Sequence, residues 1–597
     1  MTWLPRLVLL GVGVTLAVST VAIWIGATRG LDLTDEGIYL VTYRAFRHPE
    51  LTFTGTPAIL GPVFQLLGWS IPALRRAKLI AILLSSGALG AVVDRFLSRR
   101  IDLGDATHIV RRAAVILLTM LGGLTAYAFL PQSPSYNDMA IILSMLAVAI
   151  TLSALDAGPG VRISIGAGIG LGFVLMLLFL VKFPSALMIG AGCLLVLVLR
   201  RRTTFPTLLR GLAPGGLIGG VLALAVLQLL AGDIAGRIRA LFRANDTAVK
   251  SQKLSDSYLR VYTSAASSII RDVLPYLLVL VAVAVLGRLA SRGRRGPLTA
   301  LMIVAAAGLL LVARRKLIFT GGQDHIATLQ DAFPLLTAIT FVLAVALGRS
   351  PRQAFNDNRE AGLDLGATTA LLLAAPVLQG IGTGNSPFLI AASAGALWVG
   401  GLLSVVLWFM PLRGVGAIGA IGTSAVLTAG VWLLGAPALW LTPFRLTGDL
   451  RDQTAAVHGV PRLAGLRTDA ATAAFIEQAH AVVAAKHLQG QPGFSSFAGV
   501  GLAYALELRH PPAGIYIDEP LGEVLKARVA DACRLGAIGP AKRPVVLSDG
   551  SHFEATAGAL QLCGIDFPGD YDRVDLVPPP FLKSFGFDTI AVWTPKN

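Results

Sequence analysis

Apolar runs of roughly 20 residues, the length needed to cross a hydrocarbon core, recur from Leu7 to about Leu434 with no polar domain between them. A chain built this way folds in a membrane. Of its 597 residues 54% are hydrophobic and only 14% charged, and its mean hydropathy is +0.70, far from the mix of a soluble domain. From about Thr442 to Asn597 the pattern stops, giving way to mixed charges and prolines with no stretch able to span a bilayer. The sequence therefore predicts a polytopic α-helical membrane body, residues 1–440, and a soluble α/β tail, residues 441–597.

Runs of about 15 to 22 apolar residues place spans near 7–27, 79–93, 113–130, 139–155, 163–181, 183–199, 211–231, 273–287, 298–313, 332–347, 366–381, 389–409 and 414–434, about thirteen in all. An odd count puts the termini on opposite sides. Loops carrying Arg95, Arg99, Arg100, Arg111 and Arg112, then Arg200, Arg201 and Arg202, then Arg288, Arg292, Arg294 and Arg295, then Arg349, Arg352 and Arg359 alternate onto one face. Positive-inside statistics make that face cytoplasmic and the tail external. They also account for much of the net charge of +16 without any nucleic acid. The apolar but short stretch Gly55 to Trp69, broken by Pro57 and Pro62, reads as a helix lying in the interface.

Polar chemistry then collects on the external face. LDLTDEGIYL places Asp32, Asp35, Glu36 and Tyr39 just after the first span, where adjacent carboxylates at a membrane rim suit general-base work or a divalent cation. A solvated loop with a helix cap is the plainer alternative. PQSPSYND supplies Tyr136, Asn137 and Asp138, with Asp138 equally suited to cap the next helix. Lys182 stands at the turn between the fifth and sixth spans, as a site residue or as a snorkelling lysine. RRKLIFTGGQDHI brings Arg314, Arg315 and Lys316 to the side where basic residues are disfavoured, which a lipid phosphate would explain, followed by Asp324 and His325. A loop from Gly232 to Asp272 carries Arg237, Arg239, Arg243, Lys250, Lys253 and Arg260, and GIGTGNSPF offers Asn385 in a turn.

Two signals point away from a soluble-enzyme reading. GAGIGLG, Gly166 to Gly172, imitates a dinucleotide loop but lies inside an apolar run with no preceding strand, so it reads as close helix packing through small residues. The tail's five histidines, His458, His480, His487, His510 and His552, show no metal-ligand spacing. Cys533 and Cys563 pair if the tail lies in an oxidising compartment, while Cys193 sits within an apolar run.

DEGIYL after the first span, the interfacial helix leading through LGWSIPALRRAKLIAILL, and the glycine-rich fifth span ending at Lys182 together resemble the GT-C class of membrane glycosyltransferases. The similarity is to the bacterial polyprenyl-phosphate-sugar enzymes related to protein mannosyltransferases and aminoarabinose transferases, over about Met1 to Phe388. The resemblance implies a multi-pass enzyme of the bacterial inner membrane, with Asp35 as catalytic base beside Glu36. Basic residues, of which Lys182, Arg314, Arg315 and Lys316 are the matching types, would bind the donor phosphate. It implies transfer of a sugar from a polyprenyl-phosphate donor to a cell-envelope glycan, lipid or protein, with inversion. The cofactor is unknown; a divalent cation is the one candidate, with Asp35, Glu36 and Asp138 as its ligands. A transporter or flippase of lipid-linked glycans is the competing class, and it would place ionisable groups within the spans.

Overall fold

The computed structural model describes all residues except 1–2, 49–53, 102–107, 128–129, 157–160, 200–204, 252–253, 291–332, 343, 345–358, 383–384, 410–443, 497–498, 510–528, 531, 535 and 597. The body is helical because a backbone in lipid must satisfy its own N–H and C=O groups. Its elements are α1 (Trp3–Gly26), α2 (Asp35–Arg44), α3 (Thr56–Leu66), α4 (Ile71–Ser98), α5 (His108–Gly123), α6 (Tyr136–Asp156), α7 (Val161–Leu199), α8 (Phe205–Ala231), α9 (Ile234–Ser251) and α10 (Leu254–Ala290). They continue with α11 (Phe333–Val342), α12 (Arg359–Gly380), α13 (Pro387–Ala392) and α14 (Gly395–Phe409). Among the described residues, seven helices are long and apolar enough to cross a membrane.

One of the seven is two. Lys182 leaves helical geometry inside α7, at φ −159° and ψ 86°, and a Cβ on Gly190 would lie 3.4 Å from Leu175. In a straight helix those residues stand about 22 Å apart, so the chain folds back at Lys182 and the expected spans 163–181 and 183–199 are the two arms. The expected spans 7–27, 79–93, 113–130, 139–155, 211–231 and 366–381 fall on α1, α4, α5, α6, α8 and α12, and 273–287 lies within α10. The span 389–409 is broken into α13 and α14. Only part of 332–347 is described, as α11, and 298–313 and 414–434 lie outside the described residues.

Two details differ from the sequence reading. Helix α4 begins eight residues before the expected span: Ser70 caps it, its Oγ accepting from Ala73 N at 3.4 Å, and a proline occupies the first turn. Arg75 and Lys78 thereby enter the first two helical turns. The expected loop from Gly232 to Asp272 is instead mostly helix, α9 and the first half of α10. The glycines of GAGIGLG do pack a helix: a Cβ on Gly172 would collide with Gly216 of α8, and one on Gly219 with Ile169.

The tail contains a two-stranded antiparallel pair, β1 (Ala455–Ala456) with β2 (Arg467–Thr468). Its four-stranded sheet is built from β3 (Gly493–Ser495), β4 (Val545–Asp549), β5 (Tyr571–Leu576) and β6 (Ile590–Pro595) in the order β3-β4-β6-β5. Asp469 caps its long helix, α15 (Ala470–Ala485), by accepting from Thr472 N at 3.0 Å. Cys533 and Cys563 form a disulfide. The tail is bound to the loop after α1 by backbone hydrogen bonds: Gly30 N donates to Arg467 O at 2.7 Å, Arg467 N to Thr28 O at 2.8 Å, and Gly501 N to Leu33 O at 2.7 Å.

Candidate functional site

The residues DLTDEG after α1 are held from within before anything else touches them. Asp32, buried, accepts from Thr34 N at 2.8 Å through one oxygen and from Glu36 N at 3.1 Å through the other, so it stands over the start of α2 and satisfies one of its orphan donors. Burial, aided by the neighbouring Asp35 charge, pushes the Asp32 carboxyl up to about 7 against the opposing pull of Arg445 and of the Thr34 hydrogen bonds. Glu36 goes the other way. Burial alone would raise it, but the Arg75 guanidinium and hydrogen bonds from Arg75 and Ser133 outweigh that and lower its carboxyl below the usual 4.5.

The Glu36 partners explain the burial. Arg75 of α4 donates from Nε to one carboxylate oxygen at 2.9 Å and from Nη2 to the other at 2.7 Å, a bidentate pair with both side chains 1% exposed. Its remaining N–H groups donate to the carbonyls of Ala27, Arg29 and Gly30, the chain leaving α1. Ser133 N adds a bond to Glu36 at 2.9 Å. One turn along α4, Lys78 meets Asp138 of α6 at 2.9 Å and donates to Pro131 O at 2.7 Å. Asp138 also accepts from Ser135 N and Oγ, both at 2.7 Å, while Ser135 Oγ accepts from Asp138 N at 3.2 Å: a reciprocal cap on α6. LDLTDEG and PQSPSYND are thus one constellation, joined through α4.

Asp35 is different. Its side chain is 26% exposed and pairs at 2.9 Å with Arg445, which comes from the start of the tail and donates to Thr34 Oγ1 at 3.0 Å as well. Gly37 completes the motif: a Cβ there would collide with the backbone of Gly501 in the tail, and one on Gly501 would meet Leu33. The three letters DEG therefore serve three neighbours, Asp35 the tail's arginine, Glu36 the body's arginine and Gly37 the close approach of α16 (Val500–Ala505).

The aromatic residues connect this loop to the turn of α7. Tyr39 lies 6.3 Å from Tyr136, ring to ring, and the Lys182 ammonium lies 6.0 Å from the Tyr136 ring. Lys182 is buried; it donates to Asn137 Oδ1 at 3.3 Å and to the carbonyls of Gln379 and Gly380 at 2.9 and 3.3 Å, closing the C-terminal end of α12. It does not snorkel. Asn385 is exposed in the turn before α13. Arg314, Arg315, Lys316, Asp324 and His325 lie outside the described residues.

The structure brings Asp35, Glu36, Tyr39, Tyr136, Asn137, Asp138 and Lys182 to one end of the body, beside the tail. The sequence reading missed Arg75 and Lys78, although basic residues at i and i+3 entering an apolar helix were the available signal. Arg445 and Gly501 carried no such signal. The acidic groups do not fit a divalent cation: Asp35, Glu36 and Asp138 each already face a protein cation. Among the described residues no group of three or more His, Cys, Asp or Glu side chains is placed to hold a metal ion. What the arrangement offers is one partly exposed carboxylate held in place beside carboxylates that are closed off.

No family model and no curated protein matches the chain. Among solved structures, the crystal structure of ArnT from Cupriavidus metallidurans bound to undecaprenyl phosphate is similar over 98% of this chain and 97% of that chain, at 12% identity and a TM-score of 0.39. A likeness of that degree does not by itself establish a shared fold.

Proposed function

We propose that the chain is a glycosyltransferase that moves a sugar from a polyprenyl-phosphate donor to a cell-envelope glycan, lipid or protein, with inversion at the anomeric carbon. The observation that carries the reading is the contrast among its rim carboxylates: Glu36 and Asp138 are sealed in ion pairs at 1% exposure or less, while Asp35, in its pair with Arg445, keeps 26% of its side chain exposed. Asp35 takes the proton of the acceptor hydroxyl as that oxygen attacks the anomeric carbon. The sugar–phosphate bond breaks and the lipid phosphate leaves with the electron pair, its charge met by Arg314, Arg315 and Lys316. Tyr39, Tyr136 and Asn137 border the sugar, and Asp324, His325 and Asn385 complete the substrate contacts. Glu36, Asp138 and Lys182 hold the site in shape.

A membrane-embedded donor suits a site at the rim. Arg75 and Asp94, buried near the two ends of α4, stand about 28 Å apart at the helical rise, close to the thickness of a hydrocarbon core. The disulfide in the tail fits an oxidising, extracytoplasmic compartment, as in a bacterial inner-membrane enzyme with its tail outside. Purified protein in detergent, given radiolabelled polyprenyl-phosphate sugars and envelope acceptors, is expected to transfer the label without any sealed membrane. Movement of lipid-linked glycan across proteoliposomes with no transfer in detergent would instead establish a transporter or flippase.

A further inference from the structure

We infer that Arg445, a residue of the tail, is a positioning residue for Asp35, so that the tail is a working part of the site and not a cover for it; the inference rests on Asp35 being the catalytic base. Arg75 is spent on Glu36 and three carbonyls and Lys78 on Asp138 and Pro131, while Asp35 faces a cation from the tail. The cation that faces it comes from a residue 410 positions later, with Nη1 2.9 Å from Asp35 Oδ1 and 3.0 Å from Thr34 Oγ1. The guanidinium therefore spans the first two residues at the head of α2 and fixes the direction of the carboxylate.

Arg445 is itself held with unusual care. Its guanidinium lies 4.9 Å from the Phe444 ring and 5.6 Å from the Phe585 ring, which bracket it by cation–π contact. Phe585 in turn packs edge-on to Phe581 at 4.9 Å, and Phe581 N donates to Thr447 Oγ1. The backbone of Arg445 sits at φ 51°, in the left-handed region that a residue with a Cβ rarely adopts. Such conformations persist where the surroundings over-determine them, and they cluster at working sites. A surface ion pair of no consequence needs neither the aromatic bracket nor the strained backbone. Because a base misdirected by about 1 Å loses roughly a hundredfold in rate, removing the guanidinium acts on turnover and leaves donor binding in place.

The test is a kinetic double-mutant cycle on the full-length protein in detergent, with melting temperature recorded for each variant. Arg445→Met is expected to lower kcat about tenfold or more with donor KM within about twofold of the parent, and Arg445→Lys to recover part of the loss. In an Asp35→Asn background Arg445→Met is expected to add nothing, since a residue acting through Asp35 has nothing left to position. Unchanged kcat in Arg445→Met, or a full further loss on top of Asp35→Asn, overturns the inference. Should Arg445→Met fail to fold, Arg445→Lys decides it, and parental kcat there overturns the inference equally. A parent protein with no transfer activity, or a fully active Asp35→Asn, defeats the functional reading instead.

Discussion

The two ends of the membrane body treat charge differently. At the end where the tail docks, Arg75–Glu36 and Lys78–Asp138 are sealed, with side-chain exposures of 1% or less. At the other end Arg111–Asp94 is also buried, at 2.8 Å, but Asp156 is shared by Arg95 at 3.0 Å and Arg99 at 2.9 Å, and those two arginines are about half exposed. Burying an ion pair costs desolvation that its own attraction barely repays, so it is kept where geometry must be unique. An exposed arginine spread over one carboxylate gains little stability and suits anchoring at a headgroup layer. The comparison separates an end closed by sealed ion pairs from one that adds exposed arginines to a buried pair.

That difference breaks first at Arg75. Arg75→Met leaves Glu36 and three carbonyls buried without their cation, and the expected cost is about 3–5 kcal/mol, seen as a large drop in the thermal unfolding temperature in detergent. A drop no greater than that of an outer arginine would erase the contrast. Next comes the contact between body and tail: Gly37→Ala drives a methyl into the Gly501 backbone, at a cost of about 1–3 kcal/mol for overpacking. It is expected to expose the docked face of the tail to limited proteolysis. A protease pattern identical to the parent's would mean that the Gly37 and Gly501 backbones need not touch.

Much of this was legible in the chain. The apolar runs gave the helices, and the lone Lys182 between two of them marked the turn of α7. DEG and SYND were visible as polar clusters. What could not be read was who pairs with whom, because Glu36 and Arg75 are 39 residues apart and Asp35 and Arg445 are 410 apart, and no periodicity links such positions. The length of α4 was misjudged for a related reason: Arg75 and Lys78 look like the end of a membrane segment until their buried partners are known. In the tail, AATAAFIEQAHAVVAAK has a helix-like pattern and RPVVLSD and DTIAVW strand-like ones, and these segments hold α15, β4 and the start of β6. The tail's docking surface combines backbone hydrogen bonds, the Gly37–Gly501 approach and Arg445, and none of these leaves a trace in composition.

A smaller effect lies in pH. The Asp32 carboxyl sits at about 7 against an ordinary 3.8, so between those values the folded protein keeps a proton that the unfolded chain has lost. Stability from this group therefore falls as pH rises from about 4 to about 7 and is level above that. Glu36, lowered below 4.5, contributes stability that is present above that value and is lost as the pH falls below it. Asp32→Asn is expected to flatten the decline of the unfolding temperature across the first window, and an unaltered decline would assign it to another group. Smallest of all, Arg95→Gln and Arg99→Gln at the outer end should each cost less than about 1 kcal/mol, a shift that added salt largely removes. A cost as large as that of Arg75→Met would make the two ends alike.

The most direct measurement is the turnover of Asp35→Asn in the detergent transfer assay, with donor affinity determined in parallel. Asparagine keeps the side chain's size and removes the proton acceptor, so the account predicts retained donor binding and a fall in kcat of about a hundredfold or more. Full activity in Asp35→Asn would contradict it.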